Sequence, residues 1–210
     1  MNIIDLTHEI KDKMPVFPGD EQPSLVQDKE IERDGYSNYR LRCGLHLGTH
    51  IDSPVHFIKD AKTIKDIPLE ILCGEAIVLD CRSCGIIGEK MPDIPENTHR
   101  LIICTGHYKK WEQDDYFESY PVISEEFAEL LVKKGVKFVA LDTPSPDKYP
   151  YRIHEILLGA ELVIAENLNN TEQLIGKHNI KILALPLLIN SDGAPARVFA
   201  QYDNLPASAT

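Results

Sequence analysis

Gly44-Leu45-His46-Leu47-Gly48-Thr49-His50-Ile51-Asp52-Ser53-Pro54-Val55-His56-Phe57 carries three of the chain's eight histidines and one aspartate, all four at even-numbered positions. In an extended strand alternate side chains share a face, so His46, His50, Asp52 and His56 would project together. Leu47, Ile51, Val55 and Phe57 would fall on the opposite face, which suits burial. A helix is the competing geometry, since His46 and His50 are four apart. Gly48, the β-branched Thr49 and Ile51, and Pro54 disfavour it. The zinc-protease helix motif also needs Glu directly after its first His, where this chain has Leu47. The stretch therefore predicts a strand.

A straight strand advances about 3.3 Å per residue, which sets His46 and His50 roughly 13 Å apart at their α-carbons. Two imidazoles on one ion need a closer approach, because zinc–nitrogen bonds are only about 2.0–2.1 Å long. Shared ligation requires a bend, and Gly48 is the residue that most readily permits one. Asp52 can bridge two ions through its two oxygens. His56, just after the stiffening Pro54, is a candidate ligand or a free acid/base. A half-exposed strand with unrelated histidines is the alternative, which suits one lone His better than three with an Asp.

Around this stretch, 210 residues with 43% hydrophobic and 26% charged side chains suit one globular domain over 1–210 with a substantial core. The net charge of −11 disfavours nucleic acid or an anionic membrane surface as partner. It leaves an anionic substrate open, because local metal charge can outweigh the global field. No basic region precedes an apolar run near Met1, and no apolar segment approaches the ~20 residues of a membrane span. Five cysteines, an odd count without a secretion signal, point to reduced thiols in the cytoplasm. Cys81 and Cys84 have redox-motif spacing but no second pair, which leaves them as small buried residues.

Further out, residues 2–10 read as an opening strand, and two prolines with Gly19 turn the chain at 14–20. Residues 21–35 are polar, a loop or hairpin, and 39–47 return to strand character. A short helix is expected near 67–70. Residues 75–80 and 100–106 are short apolar runs bounded by turns, as buried strands are. The aromatics at 107–111 either line a pocket mouth or anchor Trp111 in the core, and His107 is not assigned to the site. Residues 124–135 form the clearest helix: Ser124 caps it, Glu125 and Glu126 open it, Phe127, Leu130 and Leu131 form a face, and Lys-Lys-Gly closes it. A strand at 137–142 follows and ends in the turn-rich loop 142–147, a place where α/β proteins set functional groups. Asp147 is also a candidate cap for a helical stretch at 151–160. The strand at 162–167 ends on Glu166, whose charge there calls for a cation or water. Strands at 181–186 and 196–200 flank the turn 191–195. The sum is a single α/β domain, a mixed sheet with flanking helices.

From His46 to His56 the chain matches every fixed position of His-x-Gly-Thr-His-x-Asp-x-Pro-x-His. In this it resembles the cyclase family of metal-dependent hydrolases, whose best-known members are bacterial kynurenine formamidases. Seven of eleven positions are fixed, so the signal is specific, and similarity runs from Ile4-Asp5-Leu6-Thr7 to Pro186-Leu187. The resemblance implies a swivelling β/β/α cyclase fold and two divalent metal ions, zinc first, with manganese also compatible with mixed imidazole and carboxylate donors. It implies His46, His50 and Asp52 around one ion, with Asp52, His154 and Glu166 around the second. Without it, His154 reads as a surface helix residue and Glu166 as a strand terminus. His56 is then suited to shuttle the proton that an amine leaving group requires. Phe17 stands where formamidases carry a substrate-contacting tryptophan before a Pro-Gly-Asp turn, and is the candidate substrate contact or else covers a core edge. The implied activity is hydrolysis of a small aromatic amide, N-formylkynurenine to kynurenine and formate, in a homodimer. Opening of an isatin-type lactam or a lactone is the alternative within the family. A non-catalytic metal-binding scaffold is a second class of reading, and the intact set of six candidate groups weighs against it.

Overall fold

Along Phe138-Val139-Ala140-Leu141 alternate side chains enter two different cores. Phe138 and Ala140 belong to one cluster, Val139 and Leu141 to the other, and all four are fully buried. Such a strand is covered on both faces, which is why its sequence is continuously apolar rather than alternating. The computed structural model describes residues 2–203. In chain order its strands begin with β1 (Asn2–Asp5), β2 (Ser24–Lys29), β3 (Asn38–Arg42), β4 (His50–Asp52), β5 (Cys73–Glu75) and β6 (Ile77–Asp80). They continue with β7 (Ile86–Ile87), β8 (Arg100–Cys104), β9 (Val122–Ile123), β10 (Phe138–Leu141), β11 (Val163–Glu166), β12 (His178–Pro186) and β13 (Gly193–Asp203). The α-helices are α1 (Ile31–Asp34), α2 (Leu69–Leu72), α3 (Glu125–Lys133) and α4 (Arg152–Gly159).

Nine strands form one mixed sheet in the order β5-β12-β13-β4-β11-β10-β8-β6, with β1 paired to β13. The pairs β6/β8, β8/β10 and β10/β11 are parallel, and the β4, β5, β12 and β13 pairings are antiparallel. Helices α3 and α4 cover one face of the parallel strands through Phe127, Leu131, Ile153 and Leu157. The antiparallel half curls over the other face, so that Ile4, Ile182, Val198 and Ala200 meet Ile102, Phe138 and Val163. The expected α/β domain with a mixed sheet and flanking helices is what the chain forms. Ser124 caps α3 as expected, its hydroxyl accepting from the Phe127 amide at 3.2 Å.

Three local expectations need correction. The predicted strand through His46–Phe57 is a strand only at His50–Asp52; His46 lies in a bend before it, and Pro54–His56 form a 3-10 turn after it. Gly48 makes the bend, at φ 57°, a conformation that costs glycine little. The turn also brings Phe57 round to the same side as the histidines, against the alternation rule. The strand expected at 39–47 stops at Arg42, and β3 pairs only with β2, in an exposed hairpin arm apart from the main sheet. The opening strand spans Asn2–Asp5 rather than 2–10, because after Asp5 the ladder to β13 gives way to single contacts, such as Leu6 N–H to the Val198 carbonyl.

Candidate metal centre

β4 lies between β11 and β13, and the two registers assemble the site from distant parts of the chain. Glu166 of β11 stands opposite His50, and Gly193 of β13 stands opposite Asp52. α4 packs on the face to which His50 and Asp52 point and delivers His154 from above, so the residue read as surface-exposed without the family resemblance is buried. Asp52 is fully buried, and His50, His154 and Glu166 are nearly so. His46 and His56 lie at the rim, half-buried, with ring centres 4.1 Å apart.

The donor atoms converge on Asp52. Its Oδ1 lies 2.7 Å from His46 Nδ1 and 3.4 Å from His50 Nε2, while its Oδ2 lies 3.7 Å from His154 Nε2. Glu166 completes the ring, with Oε2 3.3 Å from His50 Nε2 and Oε1 3.3 Å from His154 Nε2. Two triples of donors lie within 4.8 Å of one another: His46, Asp52 and His56, and His50, Asp52 and Glu166. Asp52 is common to both, as a bridging group would be. By distance alone His56 qualifies as a ligand as well as a free base.

The far nitrogen of each inner imidazole is engaged. His50 Nδ1–H donates to the Gly48 carbonyl at 2.8 Å, and His154 Nδ1–H donates to Asp147 Oδ1 at 2.7 Å. A neutral imidazole that donates from one nitrogen presents a lone pair at the other. Those lone pairs face carboxylate oxygens, two of which, Asp52 Oδ2 and Glu166 Oε1, are buried without any hydrogen-bond donor. Such lone pairs and orphaned oxygens in a buried pocket would repel one another, so the site calls for a cation among them, a proton or a metal ion. This donor set fits divalent metal ions, and the tied outer nitrogens are the second-layer contacts such ions need. Without a metal ion, a proton on the imidazoles fills that role, and His50 and His154 are both held toward the cationic form. Burial opposes charge on His50, but Asp52 and Glu166 outweigh it and raise its pKa to about 10. Burial likewise opposes ionisation of Asp52, yet His50, His154 and His46 hold its carboxyl well below the usual range. For His56 burial wins, keeping its pKa below the ordinary value despite Asp52, so it is neutral at pH 7.

Above these groups opens a cavity of about 280 Å³ with aromatic walls. Phe17 lines it, edge-on to Phe117 at 5.8 Å, and Phe57 stacks on the His154 ring at 4.6 Å. Of the aromatic run at 107–111, Trp111 lines it too; Tyr108 lies outside the lining, as does His107, which is tied to the Tyr116 carbonyl. Asp147 has both roles the sequence left open: one oxygen receives the Ile153 and His154 amides that start α4, the other holds the His154 ring. Sequence reasoning missed Asp192 as a site residue. Its Oδ2 lies 3.0 Å from His46 Nε2 and 3.1 Å from His56 Nδ1. The only signal was its place in the turn 191–195.

The Cyclase family profile matches residues 4–148. Kynurenine formamidase of Bacillus cereus (strain ATCC 14579) is 29% identical over 201 residues, covering 92% of this chain and 94% of the relative. Kynurenine formamidase of Geobacillus thermodenitrificans (strain NG80-2) is 31% identical over the same shares. Among solved structures, isatin hydrolase A from Labrenzia aggregata bound to benzyl benzoate has a TM-score of 0.83 at 24% identity, covering 95% of this chain and 93% of that one. With the His46–His56 motif inside the matched segment and 92% of its length shared with a relative 31% identical to it, the chain belongs to the Cyclase family and has the fold of its metal-dependent hydrolases.

Proposed function

We propose that this chain hydrolyses a compact aromatic amide, with an isatin-type lactam as the first substrate class and an aryl formamide such as N-formylkynurenine as the second. The observation that carries the reading is the pair of orphaned carboxylate oxygens among imidazole nitrogens at the floor of an aromatic-walled cavity. His46, His50 and Asp52 would hold one ion, and Asp52, His154 and Glu166 the other. When bound, two divalent ions, zinc or manganese, polarise a carbonyl and bring the pKa of water toward neutrality. Phe17, Phe57, Trp111 and Phe117 bind the substrate ring and exclude bulk water from it. His56, neutral at pH 7 and at the rim beside His46, takes a proton from the attacking water. It returns that proton to the amide nitrogen as the C–N bond breaks.

One feature of the wall favours the lactam. Among the described residues lining the cavity there is no Lys or Arg, so an α-carboxylate on the substrate meets no cationic side chain, and a neutral lactam needs none. Asp20 at the lining supports the second class, since it can receive an ammonium group. The test is a screen of isatins, aryl formamides and lactones with protein stripped by chelator and reloaded with zinc or manganese. Metal-dependent turnover of an aromatic amide is expected. Metal binding with no turnover of any of them leaves the scaffold reading in place and ends this one.

The assembly belongs to the same proposal. The β2–β3 arm exposes Tyr39 and Leu41 on one face and Val26 on the other, and α1 at its tip exposes Ile31; the Tyr39–Leu41 face is an apolar surface suited to a second copy in a homodimer. All five thiols are free, which suits a reducing cytoplasm, and no helix of the described residues is long and apolar enough to cross a membrane.

A further inference from the structure

The turn between β12 and β13 is held unusually firmly for a surface turn. The Asp192 carbonyl accepts from Ser53 twice, from its amide at 2.9 Å and its hydroxyl at 2.8 Å. The Ser191 carbonyl accepts from the Ile64 amide at 2.9 Å, and the Ser191 hydroxyl donates to the Gly193 carbonyl at 2.7 Å. Ser53 follows Asp52 directly, so the turn is stapled to the strand that carries the site. Gly193 then closes on His46: a Cβ there would lie 2.6 Å from His46 Cε1 and 2.9 Å from Nε2. The backbone fits against the ring only because residue 193 has no side chain.

This staple presents the Asp192 carboxylate to two imidazoles at once. Oδ2 has two lone pairs, and His46 Nε2–H and His56 Nδ1–H donate to it at 3.0 and 3.1 Å. Each bond selects a tautomer. His46 Nδ1 is itself hydrogen-bonded to Asp52 Oδ1 at 2.7 Å, so both ring nitrogens meet carboxylates; with a metal ion in place of the Nδ1 proton, donation from Nε2 to Asp192 would leave the lone pair at Nδ1 for that ion. Donation from Nδ1 leaves the His56 lone pair at Nε2, the nitrogen that must accept and return a proton. We infer that Asp192 is a positioning residue that fixes the tautomer and ring orientation of both His46 and His56, so that one carboxylate serves metal retention and proton transfer together. The inference rests on the roles proposed above for those two histidines.

The test uses full-length protein, zinc alone as the probe, and ¹⁵N-labelled histidine. Long-range proton–nitrogen spectra of the zinc-loaded protein should identify His46 as the Nε2–H form and His56 as the Nδ1–H form. Asp192→Ala should convert His56 to a mixture or to the Nε2–H form. It should also lower zinc affinity, by chelator competition, about 10–100-fold, the usual cost of losing an outer partner of a metal-bound histidine. Its kcat should fall with KM nearly unchanged. Asp192→Asn keeps an oxygen acceptor and should retain the His56 tautomer with a smaller loss of zinc. The Asp192 side chain is 44% exposed, so truncation spares the core. Asp192→Leu carries the same expectations as Asp192→Ala should the latter not fold. Unchanged tautomers together with zinc affinity within about twofold of wild type would overturn the inference. If zinc-loaded wild type turns over no aromatic amide, the proposed function fails, while the spectra and the affinities still judge Asp192.

Discussion

Asp52 joins the two halves of the centre: one oxygen faces His46 and His50, the other faces His154 and has no donor. His56 is a different kind of group, since it stands at the rim and burial keeps it neutral. His56→Ala should therefore retain its metal, checked by elemental analysis, yet lose amide turnover by about 10²–10⁴-fold. Activated aryl esters, whose phenolates leave without a proton, should slow much less. Loss of metal with activity would instead make His56 a ligand, which its distances to His46 and Asp52 permit. His8 supplies a residue-scale effect on stability. It stacks on Trp111 at 4.1 Å, its Nε2 has no partner, and burial lowers its pKa from 6.5 to about 4. The unfolded chain thus binds the proton first, and stability is lost as pH falls from 6.5 toward 4. His8→Phe keeps the stacking and removes the titration. Its stability relative to wild type, by urea unfolding, should improve by about 3 kcal/mol at most between pH 7 and pH 4. A difference independent of pH would show that His8 does not carry this linkage. The histidine motif was legible because its residue types and spacing are local. Asp192 was not, because it reaches His46 from 146 positions away and nothing in its own turn marks the contact.

Helix α3 shows how far local rules carry. Ser124, two acids, an apolar face and a closing Lys-Lys-Gly specified its position, and the cap is present. Ser124→Ala should cost about 1 kcal/mol of global stability without altering metal content. A change below about 0.3 kcal/mol would mean that burial of Phe127 and Leu131 alone fixes the helix start. α4 was legible as a helix but not as a wall of the site, since burial of His154 depends on the strands beneath it. The motif stretch was misread at the same level. Alternation alone gave one continuous strand; the bend that shared ligation asked of Gly48 is present, and the 3-10 turn at Pro54, which was not foreseen, brings Phe57 to the side of the four polar groups.

At the scale of the whole molecule, nine strands and two covering helices place residues from positions 15 to 167 around one cavity, and leave the β2–β3 arm outside the core. Tyr39 and Leu41 stand exposed on one face of that arm, an apolar surface that a second copy would cover. Sedimentation should therefore give a dimer mass, and Tyr39→Asp with Leu41→Asp should return the monomer; a monomeric wild type at micromolar concentration would remove the arm from any such role. The α/β class and the family were readable from the sequence, because the apolar runs, the capped helix and the histidine motif are each short-range signals. The arm was not, because β3 alternates like a core strand and only its lack of further partners betrays it. The central claim is a hydrolytic centre that needs two ions, and it is tested most directly by titrating chelator-stripped protein with zinc while turnover of an aromatic amide is followed. Activity should rise from near zero to a plateau at about two equivalents per chain; a plateau at one equivalent, or full turnover by the stripped protein, would contradict it.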